Sequence, residues 1–206
     1  MSPKVSDDYL DARRREIIDA AVRCFSQYGF HDATLERIRD QAGLSRGAVY
    51  HYFKSKEDII DAIRAATSED DQPLIAAFST APNAAAGLRA LVQVVLDRMT
   101  QPTSADANRV GIMLWSEALF NERIHESQLR TMHDGAWPIE ELIREGQVDG
   151  SINANLDPRA TADFILAAIM GIQIRLMWEP DINVDAMGRA LIAMLTGMFW
   201  TGARLS

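Results

Sequence analysis

The chain is predicted to be all-α, with about nine helices, and three observations carry that prediction. Apolar residues recur three and four positions apart along most of its 206 residues. No segment reads as the alternating pattern of a strand or as an Asn-Gly hairpin. Glycine, proline and small polar capping residues punctuate the sequence at helical intervals.

The elements follow in order. The first helix starts near Asp11 and runs to Tyr28, with Ile17, Ala21 and Phe25 four apart, Ile18 and Val22 beside them, and Gly29 placed to end it. Thr34 reads as the N-cap of a second helix, LERIRDQA, which ends at Gly43. Arg37 stands where a capping-box glutamate would, so Thr34 caps alone. Ser45 is expected to cap a third helix, RGAVYHYF. Ser55 opens a fourth, KEDIIDAIRAAT, whose Glu57 and Asp58 sit where the helix dipole favours acids. It ends in the polar run SEDDQP.

Longer helices follow. NAAAGLRALVQVVLDRMTQ is stopped by Pro102, and ADANRVGIMLWSEALF comes next. RIHESQLRTMHDGAWPIEELIREGQ carries Pro138, which predicts a kink or break near Gly135 to Trp137. VDGSINANL is a loop. Asp157-Pro158 is an N-cap followed by proline at the first helical position, opening a helix to Trp178. The last helix spans about Val184 to Trp200.

Composition limits the class. A hydrophobic share of 48% suffices for a sizeable core, and the single cysteine, Cys24, excludes an intrachain disulfide. The N-terminus has no apolar run of signal-peptide length. Apolar stretches such as FILAAIMGI fall short of the roughly 18–20 residues that span a bilayer. A soluble, cytoplasmic protein with no membrane partner is therefore expected. The net charge of −8 is unevenly spread: residues 1–64 hold 11 Lys+Arg and 11 Asp+Glu, whereas residues 65–206 hold 10 and 18. Affinity for phosphates depends on basic groups at the contact face rather than on the total. On charge alone a neutral segment is unremarkable.

Geometry adds more. Short helices joined by AGLS describe a helix-turn-helix, with Ala42 allowing close approach and Gly43 able to take the positive φ of the turn. Leu44 and Val49 point back to a small core with Ile17, Phe25, Phe30, Leu35, Ile38, Phe53, Ile59 and Ile63. Arg46, Gly47, Ala48, Tyr50, His51 and Tyr52 remain as the candidate outer face. A helix of about 8 residues is about 12 Å long and fits a major groove of about 12 Å. Thr34 and Lys56 flank it near helix N-termini, where phosphates are readily held.

TLERIRDQAGLSRGAVYHYFKSKEDII resembles the DNA-binding signature of the TetR family of bacterial transcriptional regulators. The likeness covers roughly residues 10–64: the threonine, the AG(L/V)S turn, the glycine, the aromatic cluster and the K-x-K-E run. Arg39 departs from it, standing where the family more often has alanine. It is expected to be exposed and able to add a phosphate contact. The resemblance implies a homodimer on a palindromic operator and a C-terminal effector and dimerisation domain, dividing the chain into 1–64 and 65–206. It implies phosphate contacts by Thr34, Tyr50 and Lys56, and a base-facing role for Arg46, Gly47, Ala48 and Tyr52. Arg37 and His51 are included in the DNA-binding set. Arg46 is the strongest base reader, because arginine bonds guanine in bidentate fashion. The plainer alternatives are that Tyr50 and Tyr52 cover the core and that His51 is solvated.

In the C-terminal part, FILAAIMGIQIRLMW and GRALIAMLTGMFW are apolar on wide faces. They read as core or, with Ala167, Ala168, Gly171, Ala190, Ala193 and Gly197 allowing close approach, as a dimer interface over about 157–178 and 184–200. Met99, Met113, Trp115, Phe120, Met132, Trp137, Met177 and Trp178 are the candidate lining of a pocket for an apolar or amphipathic effector, the alternative for each being core. Glu117, His125 and His133 are eight apart, about 80° off a common helical face, so no metal site is read. No cofactor motif and no catalytic constellation is read either. A ligand-responsive repressor is the leading expectation. A helix-turn-helix used for protein contact and an all-helical enzyme are the competing ones.

Overall fold

A computed structural model describes residues 7–69 and 80–199. Among them are nine α-helices and no strand: α1 (Asp7–Asp32), α2 (Leu35–Ala42), α3 (Arg46–Tyr52), α4 (Lys56–Glu69), α5 (Ala84–Thr100), α6 (Ala105–Glu117), α7 (Glu122–Asp149), α8 (Pro158–Trp178) and α9 (Val184–Phe199). A single 3-10 turn, Pro102–Ser104, separates α5 from α6. The all-α prediction is borne out.

Local chemistry explains most boundaries. Gly29 has φ 73° and ψ 176°, so the regular part of α1 stops where glycine was expected to stop it, and a last turn continues to Asp32. The side chains of Asn83 and Asp157 accept the backbone N–H of Ala86 and Ala160, capping α5 and α8. Asp58 and Ser55 form a reciprocal cap on α4: Ser55 Oγ accepts from Asp58 N (3.1 Å), and Asp58 Oδ2 accepts from Ser55 N (3.1 Å).

Several expectations need correction. Ser45 has the extended backbone of a cap, but its side chain makes no capping hydrogen bond. The helix expected to reach Phe120 ends at Glu117, and Ala118 to Phe120 form a turn. Pro138 does not break α7, which is one helix of 28 residues. The carbonyl that its ring leaves unbonded belongs to Asp134, an exposed residue where water can satisfy it. α8, at 21 residues, is long and apolar enough to cross a membrane by length and composition alone. Its Ile165, Ile169 and Ile172 pack in a protein core, which accounts for part of that apolarity. Trp200, placed at the end of the last helix, lies outside the described residues.

The chain forms two compact units. The first comprises Met1–Asp70 and Arg109–Gln128, the second Asp71–Asn108 and Leu129–Ser206. The first unit thus extends beyond a division at 64/65, because Val110, Leu114 and Ile124 are buried in the same core as Ile17, Phe25, Ile38, Val49 and Ile59. The second unit's core is built on Leu88, Val92, Leu96, Ile139, Ile143, Ile165 and Leu195.

Candidate nucleic-acid interface

The interface is assembled from α2, the turn and α3. Thr34 Oγ1 accepts the N–H of Arg37 at 3.2 Å and so fixes the start of α2. At the other end Gly43 takes φ 67°, its N–H reaching Asp40 O (3.2 Å) while that of Leu44 reaches Arg39 O (3.1 Å). This is a Schellman motif, which positive φ reserves largely for glycine. Leu44 then packs against the first core and Val49, fully buried, anchors α3. Gly47 and His51, four residues apart, lie opposite Val49 by helical spacing and are exposed. They form the outward ridge of α3, with Ala48 and Tyr50 half-buried at its sides.

The aromatic and basic residues around that ridge are held in place. Tyr50 Oη donates to Glu36 Oε1 (3.1 Å), tying α3 to α2. Tyr52 is half-buried against the core, and the His51 ring meets it edge to face with centroids 5.2 Å apart. The Arg37 guanidinium lies 4.5 Å from the Tyr28 ring centroid. Lys56 Nζ donates to the carbonyls of Phe30 and His31 and sits 4.2 Å from the Phe30 ring centroid. These carbonyls belong to the last turn of α1, so Lys56 caps one helix from the first position of another. Arg39, expected to be exposed, is half-buried and paired with Asp40. Its guanidinium is occupied by a neighbouring carboxylate.

Arg13, in the basic run Arg13–Arg15 that the sequence places near the DNA backbone without base contacts, joins this surface together with Tyr9, which the sequence did not single out. A groove of 540 Å³ is lined by Tyr9 and Arg13 from α1, by Gly43, Leu44 and Ser45 of the turn, and by Gly47, Ala48, His51 and Tyr52 of α3. Arg13 Nε donates to Tyr9 Oη (3.1 Å) and Nη1 to Glu16 (2.6 Å). The signal for Tyr9 was its i, i+4 spacing from Arg13, visible in sequence but without meaning until the fold set it beside α3.

The candidate effector residues are divided between the two units. Met113, Trp115 and Phe120 belong to the first unit, and Met99, Met132, Trp137, Met177 and Trp178 to the second. Met113 and Met99 pack partly buried against the core of their own unit. Trp115 and Met177 are half-buried. Phe120, Trp137 and Trp178 stand 85%, 63% and 78% exposed, and Met132 40%. Trp178 lines a surface hollow with Glu179, Pro180, Asp181 and Ile182.

A capped helix, a left-handed glycine turn and an exposed second helix on a small apolar core define a helix-turn-helix unit, the class that presents a helix to DNA. Comparison with known proteins agrees. Residues 17–63 match the bacterial regulatory proteins of the tetR family, and residues 84–199 match the C-terminal part of BetI-type transcriptional repressors. The chain belongs to the TetR family, as the resemblance implied, and is a helix-turn-helix DNA-binding transcriptional regulator. It is 39% identical over 104 residues to an HTH-type transcriptional repressor of Mycobacterium tuberculosis, a match covering 50% of each chain. The match thus spans only half the length of that relative. It is 33% identical to the repressor AcnR of Corynebacterium diphtheriae over 71% of this chain and 72% of AcnR. Among solved structures, the fatty acid degradation regulator FadR from Bacillus halodurans superposes with TM-score 0.82 at 20% identity, over 98% and 100% of the two chains. The SmeT–triclosan complex gives 0.77 at 23%, over 93% of each. A transcriptional regulator from Saccharomonospora viridis in complex with choline gives 0.75 at 24%, over 89% and 95%.

Proposed function

We propose that this regulator is a cytoplasmic repressor that binds a palindromic operator as a homodimer and releases it when a small organic molecule binds. The observation that carries the reading is the geometry of α3, held by Val49 and the Gly43 turn with the Gly47–His51 ridge outward. On this reading residues 1–64 hold the DNA-contacting surface, and residues 65–206 serve effector binding and dimerisation.

In the operator complex Arg46, Gly47, Ala48, His51 and Tyr52 face base edges. Thr34, Arg37, Tyr50 and Lys56 meet phosphates. Lys56 keeps its intramolecular partners while doing so, since an ammonium has three donors, whereas Tyr50 turns its single O–H from Glu36 to the phosphate.

The dimer is supported by the outer faces of the last two helices. On α8, Ala160, Phe164, Ala167, Gly171 and Trp178 share one helical face and are exposed. On α9, Ala186, Ala190, Ala193 and Met194 do the same. Small residues flanked by large apolar ones suit close packing of two helices against their two-fold copies. Two recognition helices are then available for half-sites about one turn of DNA apart.

The triclosan and choline found in two proteins of this fold support an organic effector of drug size or below. The effector would shift α4 and change the separation of the two DNA-binding surfaces. A coupling of about 1–3 kcal/mol lowers operator affinity roughly 5–150-fold. The test is selection of bound genomic fragments, followed by titration of an enriched fragment across salt. The reading expects steeply salt-dependent, sequence-specific binding by two protomers per site. Failure to enrich any fragment, or salt-independent binding, would overturn it.

A further inference from the structure

We propose that Arg123, at the start of α7, is a positioning residue for DNA recognition: it fixes the turn between α3 and α4 through Asp58 and Asp61 without touching DNA. The proposal rests on the reading of α3 as the DNA-binding helix and adds a residue that lies outside the helix-turn-helix motif.

One nitrogen of Arg123, Nη2, donates to Asp58 Oδ1 and to Asp61 Oδ2, both at 2.8 Å. The other oxygen of Asp61 accepts from the hydroxyl of buried Ser127 at 2.9 Å. Arg64 donates to the carbonyl of Ser127, and Asn121 Nδ2 donates to Glu57 Oε1 at 3.3 Å. Glu57, Asp58, Asp61 and Arg64 occupy one stripe of α4, and Ile59, Ile60 and Ile63 line the other side. The first two turns of α7 are therefore bonded to α4 along its polar stripe.

Asp58 gives this attachment its reach. Its second oxygen accepts the N–H groups of Lys54 (2.9 Å) and Ser55 (3.1 Å), which form the turn that follows α3. Lys54 Nζ in turn donates to the carbonyl of Tyr50 in α3 (2.6 Å). A continuous run of hydrogen bonds thus leads from Arg123 through one carboxylate to the end of the recognition helix. Arg123 also offsets two carboxylates on one stripe; without it, Asp58 and Asp61 both lose their shared cationic partner.

The test uses the full chain and four proteins: wild type, Arg123→Ala, Arg123→Lys and Asp61→Asn. Each is titrated with a duplex enriched from genomic DNA by the wild type and with a random-sequence duplex, across a salt series. Arg123→Ala and Asp61→Asn are expected to weaken the enriched duplex about three- to tenfold while leaving the random duplex and the salt slope unchanged. Arg123→Lys restores most of the loss, because a single nitrogen serves both carboxylates. Asp61→Asn is the sharpest arm: removing a negative charge should tighten binding if only electrostatics acts, and weaken it if position matters. A fall of about one in the salt slope for Arg123→Ala would make it a phosphate contact and overturn the proposal. So would tighter binding by Asp61→Asn, or equal affinity of all four proteins. If Arg123→Ala fails to fold, the lysine and asparagine arms still decide. If the wild type enriches no duplex, the DNA-binding reading itself fails, and the wild-type arm alone reveals it.

Discussion

The two units solve opposite problems. The first closes its small core with Val110, Leu114 and Ile124 from α6 and α7, and spends its polar residues on named bonds: Thr34 to Arg37, Tyr50 to Glu36, Lys56 to the end of α1, Arg123 to α4. The second has a larger apolar core yet leaves Phe164, Trp178 and Met194 exposed on its last helices. A surface fixed by internal hydrogen bonds suits a rigid partner such as DNA. An apolar surface left open suits a second copy of the chain.

Substitutions can break this contrast, the largest effect first. Val49→Asp places a charge at a fully buried site of α3. It should cost more than about 3 kcal/mol and abolish operator binding, read by thermal unfolding and gel shift. In the second unit, Ala167→Glu on the exposed face of α8 should leave the helical circular dichroism intact. It should convert dimer to monomer by size-exclusion with light scattering; an unchanged dimer would place the interface elsewhere.

Arg46→Ala should cost about 1–3 kcal/mol of operator affinity and relax sequence preference at one position of the half-site. Equal affinity for the operator would remove Arg46 as a base reader. Thr34→Ala should destabilise by about 0.5–2 kcal/mol through loss of the α2 cap, measured by chemical denaturation.

The smallest effect concerns pH. The hydrogen bond from Arg123, followed by the N–H groups of Lys54 and Ser55, holds the Asp58 carboxyl below its ordinary value of 3.8. A depressed folded-state pKa contributes stability above the unfolded value, and that contribution is lost as pH falls through the folded one. Asp58→Asn should therefore flatten the acid limb of a stability–pH curve below about pH 4 and leave its neutral part without that slope. A parallel limb in the variant would remove Asp58 from the account.

The same contrast explains what could be read from sequence. Thr34, Gly43, Gly29 and Asp157-Pro158 act within four residues of themselves, and their roles were legible in the chain. The core positions of the first unit followed from spacing. What escaped is non-local. Nothing in RIHES announces that Arg123 meets Asp58, 65 residues away, or that 109–128 share a core with α1 to α4. Tyr9 acquires meaning only beside α3. Composition does not distinguish a ligand-facing aromatic from a solvent-facing one, and Trp137 and Phe120 stand exposed in the single chain. Pro138 misled because its lost hydrogen bond falls on an exposed turn.

The most direct measurement is the affinity of the full chain for an enriched genomic duplex as salt is raised, with protomers per duplex counted by light scattering. The account predicts two protomers per site, affinity falling steeply and log-linearly with salt, and loss of specificity when Gly47 is replaced by a bulky residue on the outward ridge. One protomer per site, or specific binding that survives Gly47→Trp unchanged, would contradict it.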